Sequence, residues 1–174
     1  MTEKTLPTAE ELREAFCYDP ETGFLRWRKS GVKVTCRHHS GYIVVGFHKR
    51  QMLVHRVIWC MVTGKWPADQ IDHINLKCSD NRWINLREAT HADNVRNIEV
   101  RVNSTTGIKG VFQMNGSKKR WYASIKLNGK RIRLGGFGTA AEASEAYNRR
   151  ARLEFGEFFR PSRAVLGDEV SHRI

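Results

Sequence analysis

The chain has 174 residues, of which 40% are apolar, and its 30 Lys and Arg outnumber its 18 Asp and Glu to give a net charge of +12. This composition suffices for one ordinary globular core or a few very small ones. No stretch approaches the about 18 consecutive apolar residues of a membrane span, and the polar, acidic N-terminus is unlike a secretory signal. The four cysteines form no CxxC pair, so we expect a soluble, cytoplasmic protein with reduced thiols and no membrane partner.

The positive charge is unevenly distributed along the chain. Residues 1–50 have a net charge of +3, residues 51–100 have none, and residues 101–174 have +9. Within the last part, residues 100–141 contain nine basic side chains and no acidic one, whereas a solvated surface normally mixes both signs. This pattern favours a polyanionic partner, most commonly nucleic acid. On charge alone, a basic protein of the ribosomal or membrane-surface type remains an alternative.

Residues 1–50 are predicted to form a small β-rich unit that begins with one helix. Thr8 and Glu11 have the spacing of a capping box, in which each side chain satisfies a backbone donor of the other residue. They therefore predict a short helix over 8–16. Two strands are expected further along this unit, one at 25–28 and one at 41–47.

Residues 51–100 change to a helical period and then to a strand–loop–strand pattern. Apolar residues at helical spacing predict a helix over 52–63, which ends at Gly64. A short apolar strand with Asp72 and His73 follows, then a polar loop, a return strand at 85–87, and a last short helix that contains Asn94.

Three of these side chains combine the groups that hydrolyse a phosphodiester. Two antiparallel strands and a helix would bring Asp72 and Asn94 together as two hard oxygen ligands, a set that suits Mg²⁺ or Mn²⁺ with water in the remaining positions. His73, with an ordinary pKa of about 6.5, would accept a proton from water beside the cation. Taken singly, Asn85 and Asn94 are also ordinary turn and helix-cap residues.

The same region contains a longer series of matching strings. They are HRVIW (55–59), GKWP (64–67), IDHIN (71–75) and DNRWINLREAT (80–90). Over about residues 53–97 the sequence thereby resembles the HNH endonucleases, specifically the homing endonucleases of phage genomes and group I introns. Since Asp-His alone is a common surface pair, the resemblance rests on the joint spacing of these strings.

By position, the resemblance implies a role for each candidate residue. His73 would be the general base, Asp72 and Asn94 the metal ligands, and Asn85 the asparagine that ties the loop together. Asn94 stands where many HNH enzymes have a histidine, which favours Mg²⁺ over Zn²⁺. His55 and Arg56 also match, and phosphate contact and packing both remain open for them.

Residues 104–160 are predicted to form a module of three strands and one helix. The strands are expected at 108–112, 121–127 and 130–137, with an Asn-Gly hairpin turn before the third, and the helix runs from 139 to about 155. This module resembles the AP2 domain, which lays its sheet in the DNA major groove. The positions that match DNA-contacting residues of that family are Lys109, Trp121, Lys126, Arg131 and Arg133.

The combined prediction is an α+β, modular, site-specific DNA endonuclease. It has a β-rich unit (1–50), an HNH centre (51–100), an AP2-like domain (104–160) and a loose tail (161–174). We expect a monomer that acts on double-stranded DNA with Mg²⁺ or Mn²⁺, in the host cytoplasm if a phage encodes it. The alternatives are a DNA-binding protein of the transcription-factor type whose HNH block is inactive, and an HNH nuclease of a packaging or restriction system.

Overall fold

The computed structural model describes residues 5–97, 104–114 and 120–161. It divides into two compact units, Met1–Asn94 and Val95–Ile174. The loose tail expected over 161–174 lies outside the described residues apart from its first position. Within the described part of the chain, no helix is long and apolar enough to cross a membrane.

The first unit alternates short helices with three two-stranded antiparallel hairpins. Each hairpin joins neighbouring strands in the chain, so its pairing is local. The elements in chain order are α1 (Ala9–Ala15), β1 (Phe16–Asp19), β2 (Phe24–Trp27), β3 (Val44–Phe47), β4 (Arg50–Leu53), α2 (Val54–Thr63), β5 (Gln70–His73), β6 (Leu86–Ala89) and α3 (His91–Asn97), which extends across the unit boundary.

Helix α1 begins where the sequence predicts it. The Glu11 backbone N–H donates to Thr8 Oγ1 at 3.2 Å, and the Thr8 N–H donates to Glu11 Oε2 at 2.7 Å. This reciprocal capping box is confirmed, and the helix then buries Leu12 in the core of the first unit.

The predicted start of the second helix is wrong by two residues. Met52 and Leu53 belong to strand β4, where they pair with Val45 and Val44 of β3, and α2 begins only at Val54. The cause is the two-residue turn at His48 and Lys49, whose positive φ values of 49° and 59° suit a tight hairpin. Strand pairing thus takes up two residues that also fit the helical period.

One apolar core serves the whole first unit. Its buried members come both from the predicted β-rich unit, for example Phe16 and Leu25, and from the predicted nuclease centre, for example Ile58 and Leu86. The amphipathic α2 contributes the buried side chains Val54, Val57, Ile58, Cys60 and Met61. The boundary at residue 50 between the β-rich unit and the nuclease centre therefore remains a prediction. In the structure, residues from both sides of it pack into the same core.

The second unit contains a three-stranded antiparallel sheet in the order β7-β8-β9 and one long helix. The elements are β7 (Val111–Met114), β8 (Arg120–Leu127), β9 (Lys130–Phe137) and α4 (Ala140–Phe155). Asn128 and Gly129 form the turn between β8 and β9 with φ values of 49° and 80°, as the sequence predicts. Ala123 and Ile125 of β8 and Ala143 and Tyr147 of α4 share the core of this unit.

The first strand of this sheet lies later than predicted. The sequence places it over 108–112, but Ile108 is a buried residue of the preceding turn and the strand starts at Val111. Gly110 forces the change: its φ is +71°, and its backbone carbonyl accepts from the Ser124 N–H at 2.8 Å. Overall the chain is a mixed α/β protein with small antiparallel sheets.

Candidate active site

The candidate site is built on the β5–β6 hairpin. Asp72 and His73, the last residues of β5, pair with Arg87 and Leu86 of β6. The loop between the two strands ends in a short 3₁₀ turn that includes Asn85. The hairpin register therefore fixes the backbone positions of Asp72 and His73.

His73 is buried and hydrogen-bonded. Its ring is only 4% exposed, and Nε2 lies 2.9 Å from Oδ1 of Asn81. Burial lowers the pKa of His73, and this effect outweighs the Asn81 hydrogen bond and the charges of Asp72 and Asp80, which raise it. The imidazole is therefore neutral at pH 7, the state in which it can accept a proton.

Asn85 ties the loop to itself through three hydrogen bonds. Its Oδ1 accepts from the Asn75 N–H at 2.9 Å, while Nδ2 donates to Asn75 Oδ1 at 3.0 Å and to the Asp80 carbonyl at 2.7 Å. Each partner is within ten residues of Asn85. These contacts are those expected of a residue that holds the loop in one conformation.

Asp72 forms a buried ion pair. Its carboxylate is part of a residue that is only 2% exposed, and Oδ2 accepts from Arg87 Nε at 3.0 Å and from the Arg87 terminal nitrogen at 2.7 Å. Charge-assisted hydrogen bonds of this kind hold a carboxylate in a fixed orientation. Arg87 thus positions Asp72 and balances its negative charge.

Asn94 meets the same strand through Gln70. Its Nδ2 donates to Gln70 Oε1 at 2.8 Å, and Gln70 lies two residues before Asp72 on β5. Side chains two apart on a strand share one face, about 7 Å from each other along the strand. Asn94 thus contacts β5 at the position two residues before Asp72, and it does so through its amide nitrogen and not its oxygen.

The donor set fits a hard divalent cation that keeps several waters. An ionised carboxylate has two oxygens and about four lone-pair sites, so a carboxylate can accept from an arginine and bind a cation at the same time. Mg²⁺ is commonly bound by one or two carboxylates together with water and phosphate oxygens. In the ranges described, no group of three or more His, Cys, Asp and Glu side chains could hold a metal ion. The pair Asp72 and Asn94 remains the predicted ligand set.

His55, a predicted residue without an assigned role, packs directly on the candidate base. Its ring centroid lies 4.9 Å from that of His73, edge to face, and 5.1 Å from that of Tyr42. Its Nδ1 is buried with no hydrogen-bond partner among the described residues. Burial, together with His73 and Arg56, lowers the pKa of His55 to about 3. His55 is therefore a neutral packing partner of His73.

Arg56, the other residue without an assigned role, connects α2 to the segment before β5. Its guanidinium donates to the Asp69 carbonyl at 2.7 Å and to the Pro67 carbonyl at 3.4 Å. These bonds fix the approach of the chain to β5, and they are the contacts of a structural residue.

Three residues around His73 were not singled out from the sequence. Asn81 and Arg87 contact the two central side chains directly, and Tyr42 packs on His73. For Arg87 the sequence indicates only that it lies in the return strand, and the register found in the structure sets it opposite Asp72.

The second unit presents a basic sheet face. Lys126 of β8 lies opposite Arg131 of β9, and Ser124 lies opposite Arg133. Lys126, Arg131 and Arg133 are exposed, whereas Ile125, between Ser124 and Lys126, is buried against α4. Exposed and buried side chains thus alternate at Ile125 and Lys126 of β8. Arg133 also stacks on the Tyr122 ring at 4.2 Å.

The other two predicted DNA-contact residues, Lys109 and Trp121, contact other residues of the second unit. The Lys109 ammonium donates to the Arg96 carbonyl at 2.6 Å, and burial, with a smaller effect of Arg160, lowers its pKa. Trp121 is partly buried and packs against the core of the second unit. The exposed cationic face therefore consists chiefly of Lys126, Arg131 and Arg133.

Comparison with known proteins bears directly on the hairpin. Residues 52–96 match the family model described as HNH endonuclease. The segment that contains the β5–β6 hairpin is thus similar to an HNH endonuclease domain. The match supports a nuclease hydrolase, and the four predicted catalytic and metal-binding residues, Asp72, His73, Asn85 and Asn94, lie inside it.

The chain was also compared with solved structures and with curated proteins. A solved structure of the HNH homing endonuclease I-HmuI, described as showing DNA binding and cleavage, is similar at 19% identity with a TM-score of 0.40. The similarity covers 80% of this chain and 84% of that chain. No curated protein matches the sequence.

The pKa of His55 predicts a specific acid sensitivity of folding. Its ordinary pKa of 6.5 falls to about 3 in the folded state, so the unfolded chain binds this proton more readily. The free energy of unfolding should therefore fall as the pH drops from about 6.5 to about 3, with a slope of up to about 1.4 kcal/mol per pH unit from this residue. Urea unfolding of His55→Phe at several pH values should show a shallower slope than the parent protein. The exposed His39→Phe serves as control, and equal slopes for all three proteins would contradict the assignment.

Proposed function

We propose that the chain is a site-specific endonuclease of double-stranded DNA, of the homing type, which uses one Mg²⁺ or Mn²⁺ ion. The observation that carries the proposal is the buried, neutral His73 beside the Arg87-oriented carboxylate of Asp72, inside the segment that matches the HNH endonuclease family. A DNA binder with an inactive HNH block would need neither of these buried polar groups. The same site would serve a packaging or restriction nuclease, and the choice of target separates these roles.

The proposed chemistry divides between His73 and the pair Asp72 and Asn94. His73 would take a proton from the attacking water, which a neutral imidazole can do near neutral pH. Asp72 and Asn94 would hold the divalent cation, whose chemistry is to stabilise the charge on phosphorus and on the leaving oxygen. Asn85 would keep the loop, and hence the end of β5, in the reactive arrangement.

DNA would be held chiefly by the second unit. Its sheet face with Lys126, Arg131 and Arg133 is exposed and lacks acidic residues, and its three strands and helix have the element order expected of an AP2-like domain. Arginine suits bidentate contact with guanine and lysine suits phosphate. We propose that a monomer binds through this face, with Lys109 and Trp121 at its margin.

The base assignment predicts a loss of cleavage without a loss of binding. His73→Ala should lower the single-turnover cleavage rate of a DNA substrate by about 10²-fold or more, because a positioned proton acceptor contributes that much. DNA affinity, measured in Ca²⁺ or without metal, should stay nearly the same. His39→Ala, on an exposed histidine, should behave like the parent protein. Cleavage by His73→Ala at the parental rate would exclude the role.

The ligand assignment predicts a changed metal requirement. Asp72→Asn keeps an acceptor for Arg87 but removes the charge, and Asn94→Ala removes the amide oxygen. Each should raise the Mg²⁺ concentration needed for half-maximal cleavage at least several-fold, while Asp69→Asn, at an exposed site nearby, should not. A chelator should stop cleavage and leave the DNA bound. Full activity in excess chelator would refute metal dependence.

The binding face predicts a salt signature. Each phosphate contact contributes a slope of about 0.9 to the decrease of log affinity with log salt, so the double variant Arg131→Ala/Arg133→Ala should lower the slope by up to about 1.8. The matched control is Arg149→Ala/Arg150→Ala, which removes two charges that pair with Glu145 and Glu154 on α4. If both doubles reduce the slope equally, the sheet face is not the principal DNA contact.

A further inference from the structure

Asn81 is a buried amide whose hydrogen bonding is only half satisfied. The residue is 1% exposed, its Oδ1 lies 2.9 Å from His73 Nε2, and its Nδ2 has no partner within the described residues. A buried donor without a partner destabilises the fold, so packing alone does not explain an asparagine here. Among the residues described, its side chain bonds to His73 alone.

That bond selects one form of the histidine. A neutral imidazole carries its single hydrogen on either Nδ1 or Nε2, and the other nitrogen then holds the lone pair. An amide oxygen only accepts, so with Oδ1 facing Nε2 the hydrogen is on Nε2. The lone pair is then on Nδ1, which becomes the nitrogen that can take a proton from water. The reverse orientation of the amide would place Nδ2 against Nε2 and move the hydrogen to Nδ1.

The first hairpin holds Asn81 in place. The Tyr18 hydroxyl of β1 donates to the Asn81 backbone carbonyl at 2.9 Å, and the Trp83 N–H donates to the Pro20 carbonyl at 3.2 Å. At Gly23, with φ +72°, a Cβ would lie 2.6 Å from the Asn81 carbonyl carbon. The turn of the β1–β2 hairpin therefore packs backbone to backbone on the segment that carries Asn81.

We propose that Asn81 is a positioning residue that fixes His73 as the Nε2–H tautomer, so that Nδ1 is the proton-accepting atom. The β1–β2 hairpin, through Tyr18 and Gly23, holds the backbone of Asn81 in place, and the contact of Oδ1 with Nε2 at 2.9 Å sets the tautomer. The catalytic consequence rests on the proposed nuclease function, whereas the tautomer itself is a property of the free protein.

The first test is the tautomer of His73 in the metal-free, DNA-free chain. Protein with ¹⁵N-labelled imidazoles is studied by NMR at a pH where the ring is neutral, and the His73 signals are assigned by their loss in His73→Gln. We expect a protonated Nε2 and an unprotonated Nδ1. Asn81→Asp, which keeps an acceptor oxygen, should retain this pattern, and Asn81→Leu, of similar volume without an acceptor, should give a mixture of both tautomers.

The second test is cleavage by the same variants. Asn81→Leu should lower kcat about 10-fold or more, within the total of about 10²- to 10⁴-fold that base catalysis contributes, while KM for DNA and the Mg²⁺ requirement stay unchanged. Asn81→Asp should recover most of kcat when both are compared at a pH where His73 is neutral. If Asn81→Leu does not fold, Tyr18→Phe provides a milder variant, with a partial tautomer change and a smaller loss of kcat.

The outcomes separate this proposal from the nuclease function. A hydrogen on Nδ1 in the parent chain, or an unchanged tautomer in Asn81→Leu, overturns the positioning role. An Asn81-dependent Nε2–H tautomer in a chain that cleaves no DNA would support the positioning of His73 and refute the proposed function instead.

Discussion

The loop between β5 and β6 has no strand partner of its own, and its shape depends on the hydrogen bonds of Asn85. Asn85 reaches both Asn75 at the start of the loop and Asp80 near its end. Asp80 is in turn bound to Arg82, whose hydrogen bonds lower the pKa of that carboxyl to about 2. With the loop closed in this way, the Asn81 side chain lies within hydrogen-bond distance of His73. The conformation of the chain after β5 is thus set by a network of polar side chains. Such a network specifies one arrangement, because its hydrogen bonds require particular partners.

The second requirement is that buried charge be balanced beside a buried neutral base. Arg87 offsets the Asp72 carboxylate through two hydrogen bonds, which makes an ionised group tolerable at 2% exposure. His73 and His55 remain uncharged because burial lowers the pKa of each. The two effects are complementary. The carboxylate of Asp72 is stabilised as an ion by Arg87, whereas His73 and His55 are kept uncharged by burial. A hydrolytic site needs this separation, because its metal ligand must be ionised and its base unprotonated.

Features that depend on residues close together in the sequence could be predicted, whereas features that depend on distant residues could not. The capping box at Thr8 and the turn at Asn128 depend on residues a few positions apart, and the structure agrees with both predictions. The start of α2 was misplaced because strand pairing with β3, which no helical period reveals, takes up Met52 and Leu53.

Asn81 and Arg87, which hydrogen-bond His73 and Asp72, show the same dependence on sequence distance. Tyr18 reaches Asn81 across 63 residues of sequence, so no local pattern could identify Asn81 as part of the site. Arg87 is an intermediate case: the sequence places it in the return strand, and only the register found in the structure sets it opposite Asp72. The predicted site residues themselves could be named because their spacing resembles a family, while their hydrogen-bond partners are particular to this chain's packing.

The distribution of charge between the two units gives the proposed division of labour a physical basis. Residues 1–94 carry 14 basic and 11 acidic side chains, a net charge of +3, whereas residues 95–174 carry 16 and 7, a net charge of +9. Attraction to a polyanion is long-ranged and is weakened by salt, so it needs exposed, unbalanced charge. The chemistry proposed for His73 needs the opposite, a buried site where salt screens charges much less. One small core could not easily satisfy both demands, and a chain with two compact units can meet each in a separate one.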